Sequence, residues 1–467
     1  MKKIILLLML CVAGIGMARA EVVGGECGAD GDNVTWSLDT ETGVLTISGT
    51  GEMESYKISS SPWSGYCDSI TELKISNGIT TIGQQTFNDL IGLTEVIIPN
   101  SVKEIKGLST YYYGHDYGYV SVDGAFSDCV NLQRVVLPES LTYLSGFDGC
   151  TGLTSIEIPS SVTEIGGGAF FGCTGLTSVD IPSSVTYIGN QAFYGCTGLT
   201  SVVIPSSVTE IGESAFSGCI GLTSIGIPNS VTEIGYHAFY GCTGLTSVEI
   251  PSSVTEIGGD AFPCIVNVSP DNPNYASING VLFDKGMTKM ISCGYNVRHI
   301  VIPEIFTGVL SRDEFSSCDS IEEMTINTKV FPSIQSSAGF ASLFKCVSTE
   351  GSFRYGYTKT YQLPASFKKL TLNIDSLNLG VFAKEIDYSL MSTDYTTIYT
   401  STIDTVIIKA RKLVGDRTYA RTLREAFPAA TYIEVVCTGT EIPDGIFTDN
   451  GNIKKFEAPN AISVGTG

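Results

Sequence analysis

Residues 153–175 read Leu-Thr-Ser-Ile-Glu-Ile-Pro-Ser-Ser-Val-Thr-Glu-Ile-Gly-Gly-Gly-Ala-Phe-Phe-Gly-Cys-Thr-Gly, and nearly the same 23 residues begin again at Leu176, Leu199, Leu222 and Leu245. Every copy keeps its proline (Pro159 to Pro251), its Ala-Phe pair (ending at Phe170, Phe193, Phe216, Phe239 and Phe262) and, in the first four, a closing cysteine (Cys173 to Cys242). Self-similarity at this period is the mark of a solenoid, in which each unit buries its apolar face only by stacking on the next. The expected architecture is an α/β-type repeat solenoid with a parallel β-sheet on its concave face.

One coil can be read residue by residue. Leu153, Ile156 and Ile158 point inward from a short strand, and Glu157 between them faces solvent. Pro159 ends the strand because it has no N–H for a ladder. Val162 and Ile165 form a second extended piece, Gly166 permits a turn, and Ala169, Phe170 and Cys173 close the coil as a helical or 3₁₀ turn. Earlier coils start at Ile70, Leu93 and Leu132; later ones are expected at Val297, Ile321, Phe344, Phe367, Ile403, Ile433 and Ile453. The 39-residue step from Leu93 to Leu132 is one period plus a 16-residue insertion.

The flanks differ. Lys2 and Lys3, the apolar run Ile4 to Val12 and Ala18-Arg19-Ala20 make residues 1–20 a signal peptide cleaved after Ala20. Cys11 invites a lipid anchor, but Leu10 before it argues against one. Residues 21–69 alternate at Val34, Trp36 and Leu38, then at Leu45 and Ile47, and read as a β-hairpin N-terminal cap with Trp36 and Trp63 in its core. Regular repeats fill 70–263. A β-hairpin insertion, Gly280 to Phe283 pairing with Thr288 to Ser292, occupies 264–296. Degenerate repeats fill 297–467, where the last coil is expected to be incomplete.

The motif Leu-Thr-Ser-Val-x-Ile-Pro-x-Ser-Val-Thr-x-Ile-Gly-x-x-Ala-Phe-x-Gly-Cys resembles the repeat of BspA-like leucine-rich-repeat bacterial surface proteins. Leu45-Thr-Ile-Ser-Gly-Thr-Gly51, and Asn272-Pro-Asn-Tyr with Gly280-Val-Leu-Phe283, match the habits of that family. The resemblance implies a right-handed leucine-rich solenoid on an exported protein that binds host matrix proteins or other cells. It carries over no catalytic residue.

Composition bounds the partners. Without residues 1–20 the chain has 24 basic and 48 acidic residues, a net charge of −24. Such a surface disfavours nucleic acid and anionic lipid, and keeps a long solenoid soluble and monomeric. No run after residue 20 is long and apolar enough to span a membrane. Of 14 cysteines, those from Cys150 to Cys242 recur once per coil beside buried positions. Stacked about 4.8 Å apart and parallel, they suit core packing better than bridging. Cys27 and Cys67 are the pair to consider for a disulfide. No Cys-x-x-Cys supports zinc.

Enzyme signals are weak. His115, His237 and His299 lie on different coils; His237 takes the place of Gly168, Gln191 and Ser214 and reads as a variable outward position. Nucleophile-elbow and nucleotide-loop motifs do not occur. Asp30-Gly-Asp-Asn33 only weakly suggests a calcium loop and reads better as a turn. The column Glu164, Tyr187, Glu210, Glu233 and Glu256 is a solvated edge. No cofactor or metal is expected, and the chain is read as non-enzymatic.

Two surfaces remain. The strand face presents Thr154, Thr177, Thr200, Thr223 and Thr246 beside Ser155 to Ser247, with a varied column of Glu157, Asp180, Val203, Gly226 and Glu249. It would suit a repetitive ligand such as a glycan. The insertion at 109–122 gathers Tyr111, Tyr112, Tyr113, His115, Asp116, Tyr117 and Tyr119, a composition suited to a contact loop. The same loop could instead pack its rings over the coils. Further tyrosines at 355, 357 and 361 and at 388, 395 and 399 lie in the irregular half. These features favour a cell-surface or secreted adhesion protein recognising an extracellular protein through the solenoid face and inserted loops. A glycan-binding protein and a scaffold for a further C-terminal domain are the alternatives.

Overall fold

A computed structural model describes residues 21–107 and 124–311, then residues between 315 and 464 with short gaps, the longest at 388–394 and 415–422. Residues 1–20, read from sequence as a signal peptide, lie outside the described residues. Contacts divide the chain into two compact units between Ala261 and Phe262.

In the first unit each coil is built as its inward residues dictate. Leu153, Val162, Ile165, Ala169, Phe170 and Cys173 are fully buried, and Ile156 and Ile158 nearly so. The strand Ser155–Glu157 pairs in parallel with Ser178–Asp180, and that strand with Ser201–Val203. The longer ladder is the other one. Nine strands join in order from Gly51–Glu52 through Ile79–Ile82, Glu104–Ile105, Tyr143–Leu144, Glu164–Ile165, Tyr187–Ile188, Glu210–Ile211 and Glu233–Ile234 to Glu256–Ile257. The leucine-rich ladder stops where Gly226 replaces the varied residue of its column, and no strand forms there. Glycine has no side chain to pack and loses the most backbone freedom. A Cβ at Gly226 would meet nothing within 4 Å. Gly226→Thr is therefore expected to stabilise the chain by about 0.5–1 kcal/mol, read as a raised urea midpoint.

The coil closes without a helix. Ala169 N donates to Gly166 O, Phe171 N to Gly168 O and Cys173 N to Phe170 O. These are i→i+3 bonds of the 3₁₀ kind, made one at a time. Two positions in this arc are left-handed. One holds Gly172, Gly195, Gly218 and Gly241 at φ 69 to 75°. The other holds Gly168, Gln191, Ser214, His237 and Asp260 at φ 49 to 61°. His237 is thus a variable position whose backbone, like that of its counterparts, is left-handed. Gly166 is not in the left-handed region, and its column is glycine for a different reason. A Cβ on its counterpart Gly189 would meet Ile165 O, Gly166 C and Gly167 N, all at 2.7 Å.

An aromatic stack runs through the unit: Trp63, Phe87, Phe126, Phe147, Phe170, Phe193, Phe216 and Phe239, with successive ring centroids 5.1 to 6.2 Å apart. The cap starts it. Gly31–Asp39 pairs antiparallel with Val44–Gly49, placing Trp36 opposite Ile47 and Leu38 opposite Leu45, as the alternation predicts. Val22–Gly28 adds an outer strand, and Glu72–Ile75 joins Val44–Gly49 in parallel. Trp63 meets Trp36 edge-on at 5.6 Å, and its Nε1 donates to Thr86 O.

The cysteines pack as expected in the array. Sγ of Cys173, Cys196, Cys219 and Cys242 donates to the carbonyl of Phe147, Phe170, Phe193 and Phe216, at 3.0 to 3.1 Å. Burial pushes the Cys173 thiol well above its ordinary range, so it is a poor nucleophile. Cys27 and Cys67 are not bridged to each other; Cys67 Sγ points instead to the Asn88 carbonyl. The bridge lies in the second unit, between Cys293 and Cys318, which sequence spacing did not single out.

The second unit begins with the expected hairpin, Val281–Asp284 against Met290–Ser292, flanked by Tyr275–Ile278. Asn272 explains the Asn-Pro-Asn-Tyr turn: its buried Oδ1 accepts Asn274 N and Tyr275 N. A six-stranded parallel sheet follows: His299–Ile302, Glu323–Ile326, Lys369–Asn378, Thr405–Val414, Tyr432–Cys437 and Ile453–Glu457. Val297, Ile321, Phe367 and Ile403 start coils as predicted and are buried. Phe344 lies outside the described residues; the strand Glu323–Ile326 pairs directly with Lys369–Asn378. Ile433 also needs correcting. It pairs with Val406, so buried Ala430 holds the place that Ile403 holds one coil earlier.

Candidate binding surfaces

The strand face of the first unit is more structural than its composition suggests. Thr177 Oγ1 donates to Thr154 O and Thr200 Oγ1 to Thr177 O, at 3.1 and 3.2 Å. A second threonine ladder, from Thr163 to Thr255, does the same beside the nine-stranded sheet. Each of these hydroxyls spends its single proton on the preceding coil. Glu157 and Asp180 are register neighbours and exposed. Glu249 lies beyond the strandless coil at Gly226 and is not brought to them.

The glutamate column sits on the nine-stranded ladder. Tyr143 separates Glu104 from Glu164, and Tyr187 separates Glu164 from Glu210, so like charges are spaced except at Glu210, Glu233 and Glu256. Burial and the neighbouring Glu233 raise the Glu210 carboxyl above its usual range. Among the described residues no group of three or more metal-ligating side chains forms.

Tyr111, Tyr112, Tyr113, His115, Asp116, Tyr117 and Tyr119 lie outside the described residues. The root of their insertion is described. Strand Glu95–Ile97 pairs directly with Arg134–Val136, so the extra residues leave after Gly107 and return at Gly124 without disturbing the stack. Asp148 anchors the return: its Oδ1 accepts Gly124 N at 3.1 Å and its Oδ2 accepts Ser127 Oγ at 2.6 Å. It is only 3% exposed, and burial raises its carboxyl to about 6. A folded value above the unfolded one means that folding favours the protonated form. Stability from this group is full below about pH 4 and is lost as pH rises through about 6. Thermal melts of Asp148→Asn should lack that fall between pH 4 and 7.

His237 packs between Tyr236 and Tyr240, with ring centroids at 4.0 and 4.9 Å, and its Nε2 lies 3.8 Å from Asp260. His299 Nδ1 lies 3.7 Å from Glu323 in the second unit.

The most varied face is the outward side of the second unit's six-stranded sheet. Leu370, Leu372, Ile374, Val406, Ile408 and Ala410 point into the core, so their strand neighbours point out. The first outward row links His299, Glu323 and Lys369, the last two at 2.6 Å. At the far edge Glu434 accepts from Tyr432 and pairs with Lys455 at 2.8 Å. Lys455 and nearby Lys409 hold the Glu434 carboxyl below its usual range. Between these networks, at the C-terminal ends of the strands, lies a concavity of about 600 Å³. Its charged lining is Lys329, Lys409, Arg411, Asp375 and Glu304. Asn373 Nδ2 donates to Asn327 Oδ1 at 2.6 Å in its wall. The reading from sequence missed this face. Its one signal was Lys409-Ala-Arg-Lys412, charges alternating with apolar residues in a strand-like run.

A family model described as BspA type leucine rich repeat region matches the chain in six copies, over residues 57–113, 122–223 and 145–269. No curated protein matches. Solved structures that resemble the chain include a leucine-rich repeat protein from Bacteroides ovatus, 19% identical with TM-score 0.43, covering 93% of this chain and 89% of that one. A leucine rich cell surface protein from Faecalibacterium prausnitzii is 20% identical with TM-score 0.42, covering 92% and 94%. A leucine-rich-repeat protein of T. pallidum is 25% identical with TM-score 0.31, covering 47% and 90%. Among the described residues no helix is long and apolar enough to cross a membrane. With six copies of the repeat matched over the residues that build the stacked coils, residues 57–113 and 122–269 are a BspA-type leucine-rich-repeat region.

Proposed function

We propose that this protein is a non-enzymatic binding protein of the cell surface or the extracellular medium. It recognises host matrix proteins or other cells through its outward sheet faces and inserted loops. The observation that carries this reading is a contrast between faces. The first unit repeats one Thr/Ser pattern whose described threonine hydroxyls bond to the scaffold, while the second offers varied, exposed charge around a concavity. Functional variety on a rigid repeat frame is the usual division of labour in such scaffolds.

The test is direct. The secreted chain, and the same chain lacking 109–122, would be assayed for binding to immobilised host matrix proteins and to cells. Loss of binding with unchanged melting assigns contact to the insertion; unchanged binding removes the insertion from the account. Glycan capture on the first unit's strand face is the second reading, favoured by exposed Glu157 and Asp180. It requires that Glu157→Ala or Asp180→Ala weaken binding more than the deletion does.

A further inference from the structure

We propose that the concavity on the second unit's sheet binds a carboxylate-bearing saccharide. The inference rests on the reading of the chain as a binding protein and names a ligand class for one of its faces. Three cations converge there in a protein of strong negative charge. Lys409 and Arg411 are two residues apart on one strand and so share its outward side, and Lys329 follows the strand two places over. All three are exposed, and among the described residues none has a carboxylate within 4 Å. This differs from His299–Glu323–Lys369 and Glu434–Lys455 on the same face, where the charges neutralise each other. Cations with no carboxylate in contact, beside a concavity, leave their donors open to an anion, and arginine favours a planar carboxylate held by two hydrogen bonds.

The rest of the lining says what else that anion carries. Asn373 Oδ1 is buried and has no hydrogen-bond partner among the described residues. A buried acceptor left unmatched costs about 1–3 kcal/mol, so it asks for a donor. Asp375 and Glu304 add two more acceptor groups. Sulfate offers no donor to match the amide, and a phosphate ion is too small to reach the cations and all three acceptor groups together. A neutral sugar would leave the cations unused. A sugar acid has both parts: a carboxylate for Arg411 and Lys409, and hydroxyls to donate to Asn373, Asp375 and Glu304. A volume of about 600 Å³ has room for more than one sugar ring.

The full chain would be titrated calorimetrically with a galacturonate trimer, a hyaluronan hexasaccharide and sialyllactose, each beside its carboxyl-reduced form, and with phosphate and a glutamate-rich peptide. At least one acidic sugar is expected to bind, with its reduced form at least tenfold weaker. Arg411→Met and Lys409→Met should each cost tenfold or more with unchanged melting, and Asn373→Leu should weaken the acidic sugar. Three results overturn the proposal: no acidic sugar binds, the reduced forms bind equally, or the variants bind like the wild type. Tighter binding of phosphate or of the peptide than of every sugar also overturns it. Matrix or cell binding that survives in Arg411→Met while all sugar binding is absent sinks this inference alone. Loss of matrix and cell binding in every form of the chain would instead sink the broader reading.

Discussion

Phe216→Ala should lower the stability of the chain by about 3–5 kcal/mol and shift its denaturant midpoint accordingly. The ring is fully buried and stacked between Phe193 and Phe239, at 5.1 and 5.3 Å, in planes tilted by only 8° and 4°. Removing it leaves a cavity that neither neighbour can fill. Phe216 N donates to Ala238 O across the coil boundary, and the ladders on either side fix the spacing. Phe216→Leu, which keeps most of the volume, should cost much less. A midpoint for Phe216→Ala within error of the wild type would mean that the ring stack does not hold the coils together.

Gly189→Ala is expected to cost about 3 kcal/mol, at the upper end of overpacking, although it adds a single methyl group. The new carbon would lie 2.7 Å from three backbone atoms of the preceding coil. None of them can swing aside as a side chain could. Gly189 N is itself bonded to Ile165 O at 2.7 Å, which pins the approach. Gly218→Ala is the comparison. There φ is +75° and the nearest atom is 3.5 Å away, so only the left-handed backbone penalty of about 1–2 kcal/mol applies. Two denaturation curves decide the matter. If Gly218→Ala proves the costlier, the Ile-Gly column is glycine for its turn and not for close approach.

That ranking also shows where the sequence could be read and where it could not. Periodicity located the inward residues of the regular coils, the cap register at Trp36 and Leu38, and the hairpin at Val281. It could not tell the two kinds of glycine apart, because both recur every 23 residues; only the distance to the next backbone separates Gly189 from Gly218. It misplaced Ile433, because the period dissolves after residue 321 and pairing partners can no longer be counted off. The same loss of period hid the charged face. Lys409 meets Asn373, and Asn373 meets Asn327, only once the strand at 323–326 is known to skip 46 residues to its partner. The bridge between Cys293 and Cys318 was missed for a related reason. Cys293 and Cys318, 25 residues apart, lie beyond the regular coils whose cysteines can be read from their frame.

The glycine approach, the ring stack and the Thr163–Thr255 ladder share one property: each is a contact between a coil and its immediate neighbour, and from Leu153 to Phe239 the ring stack and that ladder are nearly the same at every junction. One coil can therefore be excised or duplicated there and the cut ends still match. Each such event changes the first unit by about 4.8 Å in length and leaves its cap and insertion root untouched. The regular block is then a part of the fold whose length is set by the number of coils alone.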